Sequence, residues 1–179
     1  SRTYYAVCFY EGQSKSAAET VRDDIISSGG SGYVICSGAY KVYGGMYAKR
    51  LEADVVASRQ SNAFVETFGW KQSKIGFSSR AEAINVKNAL SFYCGVADKL
   101  VESASLIVKE EESSVAVKSY AAAARKKFSE YSASISDEKL SLLFERAAVS
   151  INTLAECDDA DFLSVLRYVA QDLVVLRGT

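Results

Sequence analysis

The chain has no histidine and no proline. Without an imidazole, a Ser-His-Asp or Cys-His nucleophile is excluded within this sequence, as is every His-ligated metal site. Without proline there are no Pro-rich linkers and no proline-stopped helices. No run approaches about 18 uninterrupted apolar residues, so no segment reads as a transmembrane helix. The four cysteines (Cys8, Cys36, Cys94, Cys157) lie far apart and form no CxxC pair for zinc or redox work. They read as small hydrophobes, and 179 residues bury a core without disulfide staples. Neither sign of charge dominates, with 21 Lys+Arg against 22 Asp+Glu. A nucleic-acid partner would need a basic stripe, which is missing.

What is present changes character near residue 75. Before it, glycines cluster and aromatic and β-branched residues fall in short runs. After it, Ala, Ser, Leu, Lys and Glu dominate at helical spacing. Residues 1–75 carry 9 Lys+Arg and 7 Asp+Glu; residues 76–179 carry 12 and 15. Two domains are expected, 3–75 and 76–179.

The first contains a weak internal repeat with an offset of 35 residues. Tyr5-Ala6-Val7 matches Tyr40-Lys41-Val42, Ala18-Glu19 matches Ala53-Asp54, and Val21 matches Val56. Each copy reads strand, helix, strand. Residues 3–10 favour a strand. Ser16-Ala17-Ala18-Glu19 has the form of a capping box, and Ala18, Val21 and Ile25 form one apolar stripe. Gly29-Gly30 supplies a positive-φ stop, Gly32 leads into a second strand, and Gly38 turns into a third at about 39–47. A second helix at about 48–60 is expected to bury Ala48, Leu51 and Val55, followed by a strand at about 63–69. The reading is a ferredoxin-like βαββαβ layer with both helices on one face, in an α+β chain.

The strand period of two then predicts the open face. With Tyr5, Val7 and Phe9 turned to the helices, Tyr4, Ala6, Cys8 and Tyr10 point away. With Tyr40 and Val42 inward, Lys41, Tyr43 and Gly45 point away. Strands one and three are the central pair, so these residues form a platform for ligand stacking, unless the C-terminal helices cover it. In the same sheet Cys8 and Cys36 are separated by a strand, about 9–10 Å and too far for a disulfide.

The second half is helical. Apolar stripes run from Val86 through Tyr93 to Ile107, from Val117 through Phe128 to Ile135, from Leu140 to Leu154, and from Phe162 to Leu176. Short loops predict antiparallel neighbours in a bundle. Ser79-Arg80-Ala81-Glu82 is a second capping box.

Enzyme signatures are lacking: GxxxxGK[ST], GxGxxG and GxSxG do not occur. Gly29-Gly30-Ser31-Gly32 follows a helix, whereas a phosphate loop precedes one. Asp23-Asp24, Glu110 to Glu112 and Asp158-Asp159-Asp161 read as solvated faces and helix caps. No catalytic residue, metal site or cofactor is expected.

Tyr40-Lys41-Val42-Tyr43-Gly44-Gly45-Met46-Tyr47, followed by Ala53, resembles the second half of a SPOR domain. Tyr5-Ala6-Val7 with Ala18 resembles the first half, and the likeness covers about residues 3–70. Cys8 stands where many members carry Gln, and Tyr10 where a Gly follows. The resemblance implies a βαββαβ fold and a non-catalytic cell-envelope module of cell division or sporulation. Its open sheet face would bind septal peptidoglycan glycan strands stripped of stem peptides. It places glycan binding on Tyr4, Cys8, Tyr10, Lys41, Tyr43 and Gly45, with Lys41 meeting a lactyl carboxylate. It also implies an extracytoplasmic location, with a membrane anchor preceding Ser1. The alternative expectation is a scaffold that binds division or sporulation proteins through its helices, its sheet no longer engaging glycan.

Overall fold

The computed structural model describes residues 2–70 and 76–178. The boundary expected at residue 75 lies outside the described residues. A four-stranded sheet is built from β1 (Arg2–Gly12), β2 (Tyr33–Cys36), β3 (Tyr40–Tyr47) and β4 (Phe64–Trp70). Its order is β2-β3-β1-β4 and every pairing is antiparallel. Helix α1 (Lys15–Ser27) joins β1 to β2, and α2 (Arg50–Ala57) joins β3 to β4. Four further helices follow: α3 (Arg80–Val108), α4 (Ser114–Ser134), α5 (Glu138–Glu156) and α6 (Phe162–Gly178). The chain is thus α+β, with the sheet N-terminal and most of its helix C-terminal. Among the described residues no helix is long and apolar enough to cross a membrane.

Alternation along β1 sorts the two faces of the sheet. Val7 packs with Ala53 and Ala57 of α2, flanked by Tyr5 and Phe9. Tyr4, Ala6 and Cys8 belong instead to the main core, which continues through α3, α4, α5 and α6. That core is organised around Tyr93 of α3. Its ring lies 6.0 Å from Trp70, 5.5 Å from Phe128 and 5.8 Å from Phe144, and its hydroxyl donates to Leu173 O at 2.7 Å. One side chain therefore ties β4, α3, α4, α5 and α6 together, each ring pair adding about 0.5–1.5 kcal/mol beyond area burial. The helices alternate in direction. Asn85 near the start of α3 donates to Ser134 at the end of α4, and Ser141 near the start of α5 donates to Ser132 O near the same end. Lys118 near the start of α4 pairs with Asp159 just past α5.

Local expectations are corrected at two helices. Ser14, not Ser16, caps α1, its Oγ accepting from Ala17 N. Gly29 ends that helix at φ 79°, as its sequence predicts. In α2 the buried residues are Ala53 and Ala57, whereas Leu51 is 74% exposed and Val55 is also exposed. Two apolar stripes compete on this eight-residue helix, and the one with small side chains faces the sheet. Alanines let the helix axis settle close over Val7.

Candidate functional site

The face expected to be open is covered. Tyr4, Cys8 and Tyr43 do lie together on it, but they are 2%, 0% and 1% exposed. Helix α6 packs across β2, β3 and β4, and α3 reaches β3. The cover is bonded as well as packed. Tyr4 Oη donates to Asp98 Oδ1 of α3 at 2.6 Å, and Tyr33 Oη to Asp172 Oδ1 of α6 at 2.9 Å. Trp70 Nε1 donates to Val174 O at 2.9 Å. At the loop after α1, Ser31 Oγ donates to Tyr43 O at 2.8 Å and sits 3.1 Å from Gln171 Oε1. The hydroxyls of Tyr4, Tyr33 and Ser31 and the indole of Trp70 have thereby found partners beneath the helices, as burial requires, whereas the buried Gln171 Nε2 has none among the described residues.

Lys41 stays at the rim, but its charge is committed. Its Nζ lies 3.1 Å from Glu66 Oε1 of β4 and 3.8 Å from Glu11 Oε1. Tyr43 Oη donates to Glu66 Oε2 at 2.6 Å. The hydrogen bond to Glu66 pushes the Lys41 ammonium above its ordinary pKa. A ligand carboxylate arriving here would compete with one already bonded.

Tyr10 is on the other face, a correction that follows from the ladder. Tyr5 pairs with Tyr47 and Ala6 with Met46, then Cys8 with Tyr43 and Tyr10 with Val42. Strand β3 carries one extra residue at Gly44-Gly45 and β1 one extra at Phe9, two β-bulges of opposite sense. The extra residue reverses the alternation beyond Phe9. Tyr10 Oη accordingly donates to Ser14 O at the start of α1. Glu11, rather than Tyr10, reaches the Lys41 side of the sheet. Gly45 is buried, and a Cβ built on it would sit 3.6 Å from Arg167 Cδ, so α6 occupies the approach expected for a ligand.

Cys8 is a buried thiol whose pKa burial pushes up to about 11. Its Sγ donates to Tyr10 O at 3.1 Å, and all four cysteines are free. The phenols of Tyr4, Tyr33 and Tyr43 are pushed well above the ordinary value, chiefly by burial and further by the carboxylates they donate to. Sequence reasoning missed Glu66, Asp98 and Asp172. Period two along Phe64, Glu66, Phe68 and Trp70 carries a signal for the first. The other two sit 94 and 139 residues from their tyrosines, with no local signature.

Among the described residues no group of three or more His, Cys, Asp or Glu side chains could hold a metal ion. No family model, curated protein or solved structure matches this chain.

Proposed function

We propose that the chain is a non-catalytic protein-interaction module of the cell envelope. Its N-terminal half would be a SPOR-like, ferredoxin-like βαββαβ layer whose glycan face has been taken over by its own helices. The observation that carries this reading is the burial of Tyr4, Cys8 and Tyr43 beneath α3 and α6. A glycan ring needs one or more of these aromatic faces uncovered. Further support comes from the far side of the helices. Between α4 and α5 an open groove of about 400 Å³ is lined by Arg125, Ser129, Ala148, Val149 and Asn152. Val149 is 68% exposed, and the buried Asn152 Oδ1 has no hydrogen-bond partner among the described residues. A partner helix supplying a donor and an apolar edge would complete both, in the helix-in-groove mode.

The competing reading keeps glycan binding on the sheet face and requires α3 and α6 to leave it. Sedimentation with peptidoglycan sacculi, before and after amidase stripping, separates the two. The interaction reading expects the chain to remain in the supernatant with both preparations. Enrichment in the pellet with stripped sacculi would overturn it.

A further inference from the structure

The sheet's other face holds a second feature, which α6 also lines through Leu163 and Arg167. Helices α1 and α2 both pack on β1 and β3 but scarcely touch each other. The gap between them is a cleft of about 650 Å³, within the range of small-molecule sites. Its floor is backbone at Gly30 and Gly44, with the Phe9 ring lying against Gly44. Val21, Ile25, Val56 and Leu163 supply apolar walls, and Val108 at the end of α3 lines the same space while 58% exposed. A neighbouring cleft of about 390 Å³ shares Tyr47, Val56, Arg59, Val108 and Arg167 with it.

Two cations face this apolar space. Arg167 of α6 is fixed by one donor, Nη1 to Gly29 O at 2.7 Å, which leaves its remaining N–H groups for another acceptor. Arg59, just past the end of α2, forms no ion pair among the described residues, and neither does Arg167. The carboxylates on these walls, Asp24 and Glu52, are likewise paired with neither arginine. Tyr47 lies between the two clefts. Burial pushes its phenol up, the positive charges of Arg167 and Arg59 pull it down and the Glu52 carboxylate raises it; Tyr47 and both arginines line both clefts together. Two unpaired guanidiniums beside a phenol and an apolar hollow are complementary to a planar anionic head on an apolar body.

From this geometry we infer that the α1–α2 cleft binds a small amphiphile, its carboxylate or phosphate head between Arg59 and Arg167 and its hydrocarbon body along Val21, Ile25 and Val108. Calorimetric titration of the full chain with decanoate and with decyl phosphate tests this, with decanol and decyltrimethylammonium as head-group controls. Saturable binding of either anion, and none of comparable strength by the two controls, is expected. Arg59→Gln should weaken it at least about tenfold, since a charge-assisted pair is lost. Val108→Asp should do the same by placing a carboxylate at the cleft. Both side chains are exposed, so the variants are expected to melt as the parent does. The inference is overturned if neither anion binds, if decanol binds as tightly, or if both variants retain full affinity.

Discussion

Four tyrosines, Tyr4, Tyr33, Tyr43 and Tyr93, hold their protons because burial disfavours the charged phenolate, and three of them donate to a carboxylate. Their folded pKa values lie above the unfolded value of about 10. Above that pH the unfolded chain binds fewer protons than the native one, so stability falls as pH rises. Below about pH 10 the contribution is fully present. Titration to alkaline pH, following tyrosinate absorbance and far-ultraviolet ellipticity together, should show an early phase from exposed tyrosines. A second phase should coincide with loss of helix. Ionisation of all eleven tyrosines in one phase, with ellipticity unchanged, would contradict the buried phenols. Which tyrosines would be buried was only half legible. Period two put Tyr4 and Tyr43 on one face, but not what covers it, because a covering helix is chosen by matching surfaces far apart in the chain. Tyr10 was misplaced because a bulge shifts alternation by one, and its signature here is no more than the pair Gly44-Gly45.

At the scale of the element, α1 offers a clean comparison. Ser14 Oγ accepts from Ala17 N, while Ser16 Oγ only meets Ser14 Oγ at 3.1 Å. Ser14→Ala should therefore cost about 1 kcal/mol, the usual worth of an N-cap. Ser16→Ala should change stability by less than about 0.5 kcal/mol. Denaturant midpoints for the two variants decide it, and equal losses would restore Ser16 as the cap. The sequence signal is ambiguous because Ser14 and Ser16 both precede the apolar stripe, and Glu19 lies three residues after Ser16. The later box at Ser79 is also offset: Ser79 Oγ accepts from Glu82 N, but Glu82 bonds Ser78 rather than Ser79. Long stripes fared better. In α3, Val86, Tyr93, Ala97, Leu100 and Ala104 are all buried, as four–three spacing predicts. Over 29 residues a wrong helical phase would expose most of them, whereas the eight residues of α2 leave two phases nearly equal.

For the whole molecule, the decisive fact is that one core spans the sheet and the four C-terminal helices. The single tryptophan sits in that shared region. Trp70 belongs to β4, its indole donates to α6, and its ring meets Tyr93 of α3. Its fluorescence therefore reports the contact between the two halves, while ellipticity reports mainly α3 to α6. Unfolding by denaturant should give superimposable curves for the two signals, as a two-state transition requires. A fluorescence change that precedes the loss of ellipticity would mean that the sheet separates from intact helices. Strand β4 ends at Trp70 and α3 begins at Arg80, on either side of the change in composition. That change carries no information on docking, because a texture change looks the same whether the segments touch or not.

The two bulges at the centre of the sheet act on one another as a pair of frameshifts. One extra residue in β3 displaces every later pairing by a place, and one extra residue in β1 restores the original frame before the strands end. Removing a residue from Gly44-Gly45 alone would leave β1 out of frame, and with it the alignment of Glu11 with Lys41. Removing Phe9 as well would return a regular ladder. The lengths of these two strands are thus coupled across the sheet, although the positions that must change together lie 35 or 36 residues apart in the chain.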